Sequence, residues 1–162
     1  MRAYLILPLM LLAACGEEPV SEEERARRVA EIERVNEGVA LPVSPEPIMY
    51  PDMEEGGLMD PACAFAPEGG SMAPVALAFN DSAWMKVRGE LVEFAPDAGV
   101  QKGPALAWTK YDGREHSLRL GLGQEVEGAT SPTGRRFEAT LELRDGKDRT
   151  VYEAQGFAQC AS

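Results

Sequence analysis

The chain has few of the residues that build metal and catalytic sites. Only one of its 162 residues is a histidine, His116, and only three are cysteines. A zinc site made of several imidazoles is therefore excluded. A Ser-His-Asp triad would have to use His116, and no nucleophile-elbow motif marks a serine to partner it. The sequence predicts no enzyme, no metal and no cofactor, with an enzyme that uses unassigned carboxylates as the alternative class.

Basic residues are also scarce, with 16 lysines and arginines against 27 acidic residues. Because nucleic-acid binding depends on cationic contacts to phosphate, no nucleic-acid partner is expected. The imbalance lies early in the chain: residues 16–60 hold 13 acidic and 4 basic side chains, whereas residues 61–162 hold 14 and 11. The later, nearly balanced part is therefore the expected folded domain.

No apolar run is long enough to cross a bilayer, which takes about 20 residues. The longest extends from Ala3 to Leu12, follows Arg2 and is interrupted by Pro8. One basic residue, a short apolar run and small residues are the layout of a secretory signal peptide, predicted here as residues 1–14.

The run ends in Leu12-Ala13-Ala14-Cys15, which resembles the lipobox of bacterial lipoproteins. The resemblance implies that Cys15 is lipidated and becomes the first residue of the mature chain. Gly16, rather than aspartate, after the cysteine is similar to the pattern that sends lipoproteins to the outer membrane. The expected location is thus the cell envelope, on the outer membrane facing the periplasm, with the lipid as the membrane contact. A secreted protein with a chance cysteine and a short membrane anchor are the alternatives.

The two other cysteines, Cys63 and Cys160, form an even pair in a chain expected to be exported. Since the envelope is oxidising, they are predicted to form a disulfide. Two separate buried thiols are the alternative.

Residues 15–38 are predicted to form an acidic helical tether. Ser21 and Glu24 make a capping box, Gly38 terminates the pattern, and a solvated helix is expected from about Glu22 to Glu37. Residues 39–61 contain five prolines, which predict an extended, partly ordered linker without a helix.

Two metal alternatives involve residues in and just after this linker. One is calcium on acidic residues and the other is copper(I) on methionines. The candidate calcium ligands are Asp52, Glu54, Glu55 and Asp60, and the candidate copper ligands are Met49, Met53, Met59 and Met72. The simpler interpretation is that the acidic residues are solvated and that the methionines fill the core.

From residue 62 to 162 the hydrophobic period becomes two, which is typical of strands. The clearest example is the alternation from Phe137 to Leu143, followed by a turn at Asp145-Gly146. Seven to nine short strands predict an all-β domain, either a small antiparallel sandwich or a barrel. Trp84 and Trp108 are expected in the core, with an exposed aromatic recognition face as the alternative.

The loop from Ala129 to Arg136 is the candidate binding loop. Ser131 and Thr133 offer hydrogen-bonding groups, and Arg135 and Arg136 can hold a carboxylate or phosphate in bidentate geometry. A solvated hairpin edge that uses positive charge against aggregation is the alternative.

Residues 63–160 are similar in outline to the membrane-bound inhibitors of c-type lysozyme, which are small lipoproteins with a compact antiparallel barrel and a cysteine near each end. Their inhibitory loop has a Ser-Gly-x-x-aromatic pattern, whereas residues 131–137 read Ser-Pro-Thr-Gly-Arg-Arg-Phe. The sequence therefore predicts a non-catalytic binding module for an envelope protein or cell-wall partner, with inhibition of a lysozyme-like hydrolase as the alternative.

Overall fold

A computed structural model describes residues 21–103, 107–128 and 134–161. The chain forms two compact units that divide between Val39 and Ala40. The helices are α1 (Glu22–Glu37) and α2 (Tyr50–Gly56), and the strands are β1 (Pro45–Glu46), β2 (Cys63–Pro67), β3 (Ala76–Ala78), β4 (Ala83–Val87), β5 (Glu90–Pro96), β6 (Lys110–Asp112), β7 (His116–Glu125), β8 (Arg135–Asp145) and β9 (Thr150–Cys160). Neither helix has the length and apolar character needed to traverse a bilayer, over the residues described.

Helix α1 has the bounds and the N-cap that the sequence predicts. The Ser21 hydroxyl accepts a hydrogen bond from the Glu24 amide at 3.2 Å, and Arg28 pairs with the Glu24 carboxylate at 2.7 Å. Even its apolar residues Val29 and Ile32 are more than half exposed. Local capping and ion pairing therefore stabilise this helix.

The second unit is an eight-stranded antiparallel barrel. Its strand order is β4-β3-β2-β9-β8-β7-β6-β5, and pairing between β4 and β5 closes the ring. Strand β1 is an extra strand that pairs with the end of β4, where β3 no longer reaches. The all-β prediction is confirmed, with a barrel as the form it takes.

The barrel interior is filled by side chains, as expected for a ring of eight strands. The largest fully buried residues inside are Phe65, Phe94, Tyr111, Leu118 and Leu141. The Tyr111 hydroxyl donates a hydrogen bond to the Phe79 carbonyl at 2.8 Å, which satisfies the one polar group of this large side chain.

A second apolar cluster lies on the outside of the barrel. Ile48 and Leu58 pack with Leu77, whose side chain faces outward from β3, and Trp84 and Leu91 complete the contact. The segment predicted as a linker thus contributes buried side chains to the same compact unit as the strands.

Helix α2 corrects the prediction that the proline-rich segment has no helix. Pro51 lies in the first turn, where its missing amide costs no internal hydrogen bond. The Asp52 carboxylate accepts from the Met49 amide at 2.8 Å and from the Lys86 ammonium at 2.6 Å. Gly57 ends the helix in the left-handed conformation, with φ of 65°. The cap and the contact with Lys86 on β4 stabilise a helix in this segment in spite of its prolines.

The disulfide between Cys63 and Cys160 is present, as predicted. The two residues are register partners on the neighbouring strands β2 and β9, with Cα atoms 4.0 Å apart, and both are fully buried. The bridge therefore links the first and last strands of the barrel.

Candidate binding surfaces on the barrel

Because side chains fill the interior, the concave surfaces open to a ligand lie on the outside of the barrel. Two hollows adjoin on the wall formed by β2, β9, β8 and β7. The Arg136 hollow, of about 340 Å³, is lined by residues including Ala64, Ala66, Met72, Arg136, Phe157 and Gln159. The Glu138 hollow, of about 590 Å³, is lined by residues including Glu68, Gly121, Glu138, Thr140, Gln155 and Phe157. Glu68 and Phe157 line both hollows.

Arg136 is held in the first hollow by an aromatic ring. Its guanidinium carbon lies 4.0 Å from the centroid of the Phe157 ring, and the residue is only partly exposed. Within the described ranges no carboxylate pairs with it. A guanidinium stacked on a ring keeps the N–H groups at its edge available for bidentate bonds to a carboxylate or phosphate.

Gln159 lies directly opposite Arg136 in the β8–β9 register. Its side-chain amide nitrogen is buried and has no hydrogen-bond partner among the described residues. A buried donor without an acceptor carries a desolvation cost, which an acceptor brought by a ligand would relieve. The hollow thus offers a cation directly, and the covered Gln159 nitrogen becomes available as a donor when its side chain turns towards the hollow.

The Glu138 hollow is acidic, and it shares one of its two carboxylates, Glu68, with the Arg136 hollow. Glu138 and Glu68 are exposed, and neither has a cationic partner in the part of the chain that the structure describes. Gly121 lines the hollow without a side chain, and a methyl group there would meet nothing closer than 3.8 Å. The surface over β7, beside Glu138, is therefore open.

A different pair of hollows lies beside the turns at one end of the barrel. They have volumes of about 500 and 580 Å³ and share Val87, Arg88, Glu115 and His116. Arg88 has a φ of 52° in its two-residue hairpin turn with Gly89, whose amide donates to the Glu46 carboxylate at 2.9 Å. The partly buried His116 makes no side-chain hydrogen bond within the described residues, so the structure shows no serine partner for it.

The structure separates the two arginines of the predicted binding loop. Arg135 and Arg136 are the first two residues of β8, so their side chains leave opposite faces of the strand. The Arg135 guanidinium pairs with the Glu125 carboxylate at 3.4 Å and lies near the Phe137 ring. Only Arg136 enters a hollow. Ser131, Thr133 and Cys15 lie outside the described residues, so the binding loop, the inhibitor resemblance and the lipidation stay predictions.

Phe157 and Gln159 were not among the predicted site residues. Their part of β9 alternates small inward residues with larger outward ones, from Gln155 to Cys160. This period of two was visible in the sequence and would have placed Gln155, Phe157 and Gln159 together on the outer face.

The tryptophans have structural positions. The Trp84 indole donates to the Ser82 hydroxyl at 3.2 Å within the outer cluster. The Trp108 indole donates to the Asn80 carbonyl at 2.7 Å and packs against the barrel core. In the described ranges, no group of three or more histidine, cysteine or acidic residues is placed to hold a metal ion.

The shifted pKa values belong to residues that hold turns and strands in place. Hydrogen bonds from the Arg149 side chain and backbone lower the pKa of Asp145 to about 2. A hydrogen bond from Arg144 lowers the pKa of Glu142, and burial raises the pKa of Tyr111 to about 12. None of these three groups lines the Arg136 or the Glu138 hollow.

Comparisons of the chain with protein-family models, curated proteins and solved structures found no match. The functional argument therefore rests on the hollows themselves.

Proposed function

We propose that the chain is a lipid-anchored, non-catalytic binding module of the bacterial cell envelope that holds a carboxylate-bearing partner in the Arg136 hollow. One observation carries the proposal: a guanidinium that has no carboxylate partner among the described residues is stacked on Phe157, beside the buried side-chain nitrogen of Gln159, which has no hydrogen-bond partner among them either. A carboxylate supplies two acceptor atoms, so it could bind the guanidinium edge and the amide at once.

The proposed anchor follows from the lipobox-like ending at Cys15. Anionic headgroups would repel the acidic helix α1, so the tether is expected to stand away from the membrane surface. Replacing Cys15 by alanine should abolish lipid labelling and leave the precursor unprocessed, because the thiol is the acceptor. Normal processing and membrane retention of Cys15→Ala would contradict the anchor.

Binding is tested by NMR titration with a defined carboxylate. N-acetylalanine should shift the side-chain amide resonance of Gln159 and the backbone amides near Phe157 in a saturable manner, whereas the uncharged N-acetylalaninamide should not. Arg136→Ser should abolish the response. Arg135→Ser is the matched control, because Arg135 is adjacent in sequence but on the opposite face.

Both variants alter partly exposed positions and are expected to stay within about 0.5 kcal/mol of the wild-type free energy of unfolding. An unchanged response in Arg136→Ser, or equal loss in both variants, would contradict the proposal. The same pair of variants, crosslinked in intact envelopes, then shows whether capture of a native partner depends on Arg136.

A further inference from the structure

The Arg136 and Glu138 hollows meet at Phe157 and Glu68, with the Arg136 cation lining the first and the Glu138 carboxylate lining the second. We infer that they form one continuous site for a dipolar ligand, with a carboxylate at Arg136 and an ammonium or guanidinium at Glu138 and Glu68. A short peptide segment with one acidic and one basic group has this chemistry. The inference rests on the proposed function, since it extends the ligand from the first hollow into the second.

The backbone sets the distance between the two charges. Arg136 and Glu138 are two residues apart on the outer face of β8, so their Cα atoms are separated by about 7 Å. Phe157 lies opposite Glu138 in the β8–β9 register and beneath the Arg136 guanidinium. The guanidinium therefore covers one face of the Phe157 ring, and a ligand that spans the two charges passes beside this stacked pair.

Arg136 and Glu138 do not form an ion pair with each other. The contrast is Glu142 and Arg144, which have the same spacing on the same face of β8 and pair at 2.8 Å. The two sites differ because the Arg136 guanidinium stacks on Phe157. The charges at 136 and 138 are thus left for a ligand, whereas those at 142 and 144 neutralise each other.

The surface beside the two charged residues has small side chains that leave room for an extended ligand. Ala64 and Ala66 face outward from β2 in the first hollow, and Gly121 lines the second. Thr140 and Gln155 are register partners and place hydrogen-bonding side chains along the second hollow. The site thus combines two opposite charges, the aromatic ring of Phe157 and neighbouring small residues. This combination suits an extended ligand with polar groups along its length.

The test uses three probes of equal chain length: 6-aminohexanoate, hexanoate and hexylamine. In NMR titrations of the wild-type chain, 6-aminohexanoate should bind about 2- to 5-fold more tightly than either singly charged probe, which is the gain expected from one additional exposed ion pair. Glu68→Gln/Glu138→Gln should remove this preference and leave hexanoate binding in place. Glu153→Gln, which removes an exposed carboxylate outside both hollows, is the matched control and should keep the preference.

The outcomes separate this inference from the proposed function. If hexanoate binds as tightly as 6-aminohexanoate and Arg136→Ser abolishes the binding of both, the dipolar site is refuted and carboxylate capture stands. If Arg136→Ser changes the binding of neither probe, both proposals are refuted. A preference that survives in Glu68→Gln/Glu138→Gln also refutes the dipolar site, because the ammonium must then bind elsewhere.

Discussion

Reducing the Cys63–Cys160 bridge should lower the free energy of unfolding by about 4.7 kcal/mol. The two cysteines are 97 residues apart in sequence. In the chain-entropy account, a closed loop of about that length removes roughly 4.7 kcal/mol of conformational entropy from the unfolded state at 25 °C. Domains are stable by only about 5–15 kcal/mol, so the loss is a large share of the total.

The reduced chain should nevertheless fold to the same structure. Strands β2 and β9 are paired over five positions from Cys63–Cys160 to Pro67–Gly156, and this pairing does not require the covalent bond. Circular dichroism of the reduced chain in buffer should therefore match that of the oxidised chain.

The assay is urea unfolding followed by the fluorescence of Trp84 and Trp108, with and without reductant. Cys63→Ala/Cys160→Ala gives a second route to the same comparison, and its stability should not respond to reductant. A loss below about 1 kcal/mol in both comparisons would refute the entropic argument, because it would mean that the unfolded chain is already restricted without the bridge.

Other substitutions test the packing and the titration of the barrel. Gly156→Ala would place a methyl group 2.2 Å from the Ala66 carbonyl oxygen and should lower the free energy of unfolding in urea by about 1–3 kcal/mol. Gly146→Ala, with nothing within 4 Å, is the control and should change it by no more than about 0.5 kcal/mol. Equal costs would contradict the close approach of β2 and β9 at Gly156. Ile48→Ala, at a position only 1% exposed, should cost about 2–5 kcal/mol, and a cost below about 1 kcal/mol would show that the outer cluster adds little stability. Burial raises the pKa of Tyr111 to about 12, against about 10 in an unfolded chain. The contribution of this group to the free energy of unfolding is therefore fully present below pH 10 and is lost as the pH rises towards 12. Tyr111→Phe should flatten this decline in stability measured between pH 9 and 12, and an identical slope in both proteins would contradict the assignment.

The parts of the fold that depend on local patterns were predictable from the sequence. Helix α1 follows from the cap at Ser21 and the acidic first turn, and β8 follows from strict alternation after Phe137. The choice of a barrel over a sandwich was not predictable from local patterns, because a closed ring also needs pairing between β2 and β9, whose residues are nearly 100 positions apart. Helix α2 was missed because its stability comes from contact between Asp52 and Lys86 on β4.

The candidate site was predictable only in part, for a similar reason. The sequence singled out Arg136 as one of a pair of cations, but its separation from Arg135 depends on where β8 begins. The unpartnered amide of Gln159 is a property of three neighbouring strands, β2, β9 and β8, which meet only in the folded barrel. Propensity and periodicity carry no information about whether a buried donor finds an acceptor.

The position of the disulfide also has a mechanical consequence. The shortest covalent path from the chain that precedes Cys63 to Phe157 crosses the Cys63–Cys160 disulfide and then runs along β9. A force between that chain and a ligand at Phe157 can follow this path. This path includes only residues 157–159 of the loop that the disulfide closes, so tension does not have to pass through the hairpins of the barrel. Strand β9 is in turn paired with β8 along nearly its whole length, from Cys160 to Thr150, and is loaded in shear, where many hydrogen bonds resist together. If the chain is anchored and binds a partner as proposed, the wall that carries the hollows would keep its shape under a pull between the anchor and the partner.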